Sequence, residues 1–167
     1  LSIAVKEFIP VIVGCAVWGH QWAGHCIIWH CDNQAVIGCL NSRTSTNPLL
    51  MHLIRNITFI EAYGGFHVRP MYISTRDNHL ADDLSRNRLS SFLSKVPAEL
   101  RNPGPTPILV HLVNLLLNTE ADWTFPLWRH QFKNTLDRVW QAQPRNPMRQ
   151  PRSGSTSSAA STMFPPL

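Results

Sequence analysis

Residues 3–22 carry apolar side chains on nearly every side and a single carboxylate, Glu7. A helix of that kind is stable only when most of its faces are covered, so the rest of the chain has to pack around it. Pro10 must fall in its first turn or bend it. Glu7 is the anomaly, because burying an unpaired charge is costly. It needs a compensating cation, or else a position near the helix start where solvent or the helix dipole offsets it.

A chain of 167 residues has one ordinary core to build, and 44 % hydrophobic residues against 15 % charged ones exclude wholesale disorder. The net charge of +5 points to a polyanionic partner, although Arg145, Arg149 and Arg152 lie in a tail without acids and leave the rest nearly balanced. Cys15, Cys26, Cys31 and Cys39 crowd one segment, which suits reduced core thiols better than a secreted disulfide framework. The apolar run over residues 8–18 is too short to span a bilayer and is preceded by Glu7. Neither secretion nor membrane insertion is expected, and the location is intracellular, cytoplasmic or nuclear. A beginning in mid-helix without Met gives the chain the look of a fragment.

Residues 26–31 form a short apolar run after Gly24 and read as an inner strand that delivers Asp32 to its carboxyl end. A short helix over 34–40 and a longer one from Pro48 to about residue 63 follow, the latter closed by Gly64 and Gly65. Residues 66–73 read as a second strand, and 78–93 as one helix with Leu80, Leu84 and Leu89 available for packing. This order is that of an α/β layer structure. Residues 95–107, with four prolines and a glycine, read as a linker; 108–117 and 126–140 read as two helices of a small appendage; 141–167 read as a disordered basic tail.

Asp32 sits where α/β sheets place their sites, at a strand's carboxyl end, though the ordinary role of an acid there is to cap the next helix. Asp82 and Asp83 open the last helix of the α/β part, where dipole complementation or a solvated face is the ordinary role of such acids. The segment Asn78-His79-Leu80-Ala81-Asp82-Asp83-Leu84-Ser85-Arg86 matches the N-x-x-A-D-x-L-S-R signature closing the ribonuclease H domain of retroelement polyproteins. Lys6-Glu7-Phe8-Ile9-Pro10 resembles the start of that domain's central helix, and Cys31-Asp32-Asn33-Gln34-Ala35-Val36 its D-N-x-A-V strand end. Residues 1–94 resemble the ribonuclease H domain of DIRS-type retrotransposons, with the run from Ala16 to His25 especially similar.

That resemblance implies a ribonuclease H-like fold lacking its first strands, with a helical appendage and a disordered tail. It implies that Glu7, Asp32 and Asp82 are three of four carboxylates holding two Mg²⁺ ions, with Mn²⁺ as a substitute, for hydrolysis of RNA in an RNA/DNA hybrid. Hard cations want oxygen ligands, and a pair of them can clamp the attacking and leaving oxygens of a phosphodiester. Asp82 is the preferred acid because it follows Ala81, and Asp83 is expected to be solvated. The family's fourth acid lies on a first strand with no counterpart in this chain. One side of the central helix is therefore expected to be uncovered, and little or no cleavage is expected from these residues alone. The loop 72–75 lacks the histidine of cellular ribonucleases H, so no flexible catalytic histidine is expected.

In the family a reverse transcriptase precedes this domain and a tyrosine recombinase follows it. Residues 108–140, with the turn at Asp122, Trp123 and Thr124 and with Trp128, resemble the start of the recombinase's DNA-binding part; the recombinase Arg, His and Tyr set is absent from the sequence. The alternative function is thus a non-enzymatic DNA-binding remnant, and the plainest reading of this end is a solvent-exposed tail of a decayed or mis-spliced frame. His25, Cys26, His30 and Cys31 are zinc-type ligands, but strand alternation places Cys26, His30 and Asp32 on one face and His25 and Cys31 on the other. Zinc is therefore not expected there. Trp18, Trp22 and Trp29 lie in apolar runs and read as core rather than base-stacking platforms.

Overall fold

The computed structural model describes residues 2–98, 101, 110–118 and 126–143. In chain order these form α1 (Ile3–Trp18), a 3-10 turn (Gly19–Gln21), β1 (Cys26–Cys31), α2 (Gln34–Ser42), α3 (Pro48–Gly64), β2 (His67–Tyr72), α4 (His79–Ser85), α5 (Leu89–Lys95), α6 (Val110–Leu117) and α7 (Pro126–Ala142). The protein is a mixed α and β structure, mostly helical, around a parallel two-stranded sheet.

The Ser2 hydroxyl caps α1 by accepting from Val5 N, and Pro10 sits exposed inside the helix. Phe8, Val11, Ile12, Cys15 and Ala16 are wholly buried, as an apolar central helix requires. By length and composition Ile3–Gln21 could cross a membrane, and 50 % of that window is buried in the protein. β1 and β2 pair in register from Cys26 opposite His67 to Cys31 opposite Tyr72. His67 N donates to His25 O and Ile73 N to Cys31 O, so the alternate residue Pro70 turns its missing N–H to the outer edge of β2, where proline is tolerated. Ile27, Trp29 and Val68 face the helices, whereas Ile28 and Met71 are exposed on the opposite face.

The appendage reading is corrected by the packing. Leu112 and Leu116 of α6 and Phe132, Leu136 and Val139 of α7 belong to the same buried core as α1 and α3. The Trp140 indole donates to the Ala16 carbonyl at 2.8 Å and stacks on Tyr63 with ring centroids 5.4 Å apart. Asn56 Nδ2 donates to Leu116 O at 2.9 Å, and His52 Nε2 lies 3.0 Å from the same carbonyl and 2.9 Å from Asn56 Nδ2, while burial foremost holds His52 below its usual pKa. Helix α7 thus packs against α1. Helix α7 runs through residues 141 and 142, which were read as tail; residues 144–167 and most of the proline-rich stretch lie outside the described residues, as do Asp122, Trp123 and Thr124.

Three further expectations change. Residues 78–93 are two helices, because Asn87 adopts a left-handed φ of 56° and breaks the run between α4 and α5. Leu84 and Leu89 are consequently exposed rather than packed. Trp18 is exposed, since α1 ends there and the chain turns away, whereas Trp22 and Trp29, half-buried, do pack against the core; Cys26 is exposed on the open face of the sheet.

Candidate metal centre

Strand β1 ends at Cys31, and Asp32 stands in the bend beyond it. The Asn33 side chain caps α2, its Oδ1 accepting from Ala35 N at 2.9 Å and Val36 N at 3.3 Å. The capping role that would have explained Asp32 away therefore belongs to its neighbour. Glu7 lies one helical turn into α1, behind the first turn, and its Oε2 is a buried atom without a hydrogen-bond partner. Position near the helix start has not given it a partner.

These two carboxylates meet. One ligand atom each from Glu7, Cys31 and Asp32 lie within 4.8 Å of one another. An orphaned buried carboxylate oxygen beside a second carboxylate is an electrostatic arrangement that a divalent cation relieves. Burial, with smaller contributions from the Glu7 and Asp32 charges, pushes the Cys31 thiol up, while Asn33 N donates to its sulfur at 3.4 Å. Alternation along the strand separates Cys31 from Asp32 only if both are in the strand. With the pleat ending at Cys31, the two side chains share one site, and the expectation that they face apart is corrected.

Asp82 is not among these mutually close donors. Its carboxylate accepts from Arg86 Nε at 2.7 Å and from Arg88, and the Arg86 hydrogen bond foremost holds it below the usual carboxylate range. Asp83, expected to be solvated, is instead the buried acid of the pair: Lys95 Nζ lies at 2.6 Å, Ser91 Oγ at 2.7 Å and Arg88 Nε at 3.0 Å. Helices α4 and α5 pack chiefly against each other around that carboxylate. The signature residues thus build a local ionic clamp, and the structure brings together Glu7 and Asp32 but not Asp82.

Both clamp acids have depressed folded-state pKa values, so their stabilisation is present above the ordinary carboxylate value and lost as the pH falls through the folded values. The α4–α5 pair is expected to loosen below about pH 4 before the main core does. Amide NMR spectra recorded through an acid titration check this; resonances of α4 and α5 that hold as long as those of α1 and α3 would contradict it.

The cluster His25, Cys26, His30 and Cys31 is not assembled: Cys26 and His30 are on the exposed face of β1 and Cys31 on the buried one. No protein-family model, curated protein or solved structure matches the chain.

Proposed function

We propose that this chain is a ribonuclease H-like domain of retroelement origin, whose site serves metal-assisted hydrolysis of the RNA strand in an RNA/DNA hybrid. The observation that carries the reading is the meeting of Glu7 and Asp32 at the carboxyl end of β1. It joins an acid from the central helix to an acid from a strand end, the two positions that the sequence resemblance had named independently. Divalent cations, Mg²⁺ or Mn²⁺ in this reading, polarise a phosphodiester and lower the pKa of an attacking water. Glu7 and Asp32 are the residues that would hold one such ion. Burial of Glu7 Oε2 keeps bulk water from competing for that oxygen, and the Asn33 cap fixes the bend from which Asp32 projects.

Two converging carboxylates fit one cation better than two, so cleavage by these residues alone is expected to be weak. The test is therefore binding. Calorimetry should show weak Mg²⁺ and Mn²⁺ binding that Glu7→Gln and Asp32→Asn each remove, and the wild-type protein should retain a labelled RNA/DNA hybrid over duplex DNA when Mn²⁺ is present. Equal cation binding by Asp32→Asn, or no preference for the hybrid, overturns the reading. The alternative of a DNA-binding recombinase remnant gains nothing from α6 and α7, whose apolar faces are spent on the common core.

A further inference from the structure

We infer that the Cys31 sulfur is a third donor of this centre, and that the centre therefore takes a borderline-soft divalent cation, zinc or cobalt, in preference to magnesium. The inference rests on the proposal that Glu7 and Asp32 bind a cation, and goes beyond it in naming the sulfur and the class of metal. Nothing in the ribonuclease H resemblance asks for a thiol.

Three observations carry it. The Cys31, Glu7 and Asp32 donor atoms form one group within 4.8 Å. Cys31 is only 6 % exposed and its sulfur accepts the Asn33 N–H, the kind of outer contact that orients and stabilises a metal-bound thiolate. Glu7, whose Oε2 is buried and without a hydrogen-bond partner, completes a set of two carboxylates and one sulfur. Zinc–sulfur bonds of about 2.3 Å and zinc–oxygen bonds of about 2.0–2.2 Å require donors roughly 3–4 Å apart. The donors now lie within 4.8 Å of one another and would have to close to that range on binding.

The chemistry of the set decides between metals. Magnesium demands near-octahedral oxygen coordination and gives up water reluctantly, whereas thiolate selects zinc and its neighbours. Three protein donors with a fourth position left for water or substrate is the open arrangement of zinc sites that do chemistry. On binding, the sulfur–metal bond forms as the thiol proton leaves to solvent, with no change of oxidation state.

Cobalt(II) reports directly on the sulfur. Titration of the whole chain with Co²⁺ should produce a near-ultraviolet sulfur-to-cobalt charge-transfer band that saturates at one ion per chain and is abolished by Zn²⁺. Cys26→Ser should keep the band. Cys31→Ser should lose it and bind Co²⁺ at least about tenfold more weakly, since loss of a mere outer partner of a metal ligand already costs that much; its Mg²⁺ binding should be unchanged. Asp32→Asn, which removes a side chain outside the core, should also lose the band, and keeps the test decisive if Cys31→Ser does not fold. Co²⁺ binding without the band, or a band that survives Cys31→Ser, overturns the sulfur assignment and leaves the carboxylate reading standing, whereas a band that survives Asp32→Asn overturns the carboxylate reading and this inference with it. Failure of the wild-type protein to bind either Co²⁺ or Mn²⁺ overturns both.

Discussion

Replacing Arg43 with Met is expected to cost about 3–5 kcal/mol of folding stability, because it strands the Glu61 carboxylate inside the protein. Glu61 on α3 is buried; its Oε1 accepts from Arg43 Nη2 at 2.8 Å and from Val68 N at 2.6 Å, its Oε2 lies 2.8 Å from Arg43 Nη1, and His67 Nδ1 approaches Oε1 at 3.2 Å, while Arg43 reaches on to Val68 O at 3.3 Å. This pair is how the end of α2 and the last turn of α3 are tied to β2. Arg43 itself sits at φ 54°, closing α2 in a left-handed turn, which aims its side chain back along the sheet. Since a domain of this size has about 5–15 kcal/mol in total, the single change should leave the protein marginal. The double variant Arg43→Met/Glu61→Gln should recover most of the loss, because a neutral amide can still accept from Val68 N and leaves no charge behind. Urea unfolding followed by circular dichroism checks both, and a single variant within about 1 kcal/mol of the wild type would show that solvent or His67, not Arg43, compensates Glu61. Because β2 is the only strand paired with β1 among the described residues, the same variant should also weaken cation binding at Cys31 and Asp32.

What the sequence disclosed and withheld follows from the range of the forces involved. Local signals read well: the apolar period of α1, the strand before Asp32, the Pro48 start and Gly65 end of α3, all set within a few residues by propensity, caps and glycine. The odd position of Glu7 in an apolar helix drew attention to a residue whose Oε2 is buried without a hydrogen-bond partner and whose carboxylate lies near Cys31 and Asp32. Cys31 was missed because alternation was carried one residue past the strand's end, and the signal that could have corrected it is Asn33, a stronger candidate for the cap than Asp32 once the Asn33-Gln34 boundary is taken as the helix start. Asp82 and Asp83 could not be ranked from their motif, since which of them is buried depends on Ser91 and Lys95 one helix later. The docking of α7 was illegible for a simpler reason: the Trp140 indole meets the Ala16 carbonyl across 124 residues of chain, and no local pattern encodes a partner at that separation.

That docking makes the second large prediction. Phe132→Ala should destabilise the whole protein by about 3–5 kcal/mol, the cost of emptying a fully buried aromatic site. Its ring packs edge-on to Phe59 of α3 at 5.3 Å, and the same face of α7 places Leu136 and Val139 in the core. Around its rim Tyr63 donates to Asp137 at 2.6 Å and Lys133 pairs with Asp137 at 2.8 Å, so the helix is fixed by a polar fringe as well as by apolar burial. A separable appendage would behave differently: α7 would melt on its own and leave α1, α3 and the sheet unchanged. An integral helix instead makes one cooperative unit, so that Phe132→Ala lowers the unfolding midpoint seen at every probe by the same amount. The measurement is denaturant unfolding followed in parallel by far-ultraviolet dichroism and by tryptophan fluorescence. Two separated transitions, with only the first moved by Phe132→Ala, would return α6 and α7 to the status of an appendage. Coincident transitions, both moved, mean that α7 belongs to the same folding unit as α1 and the sheet.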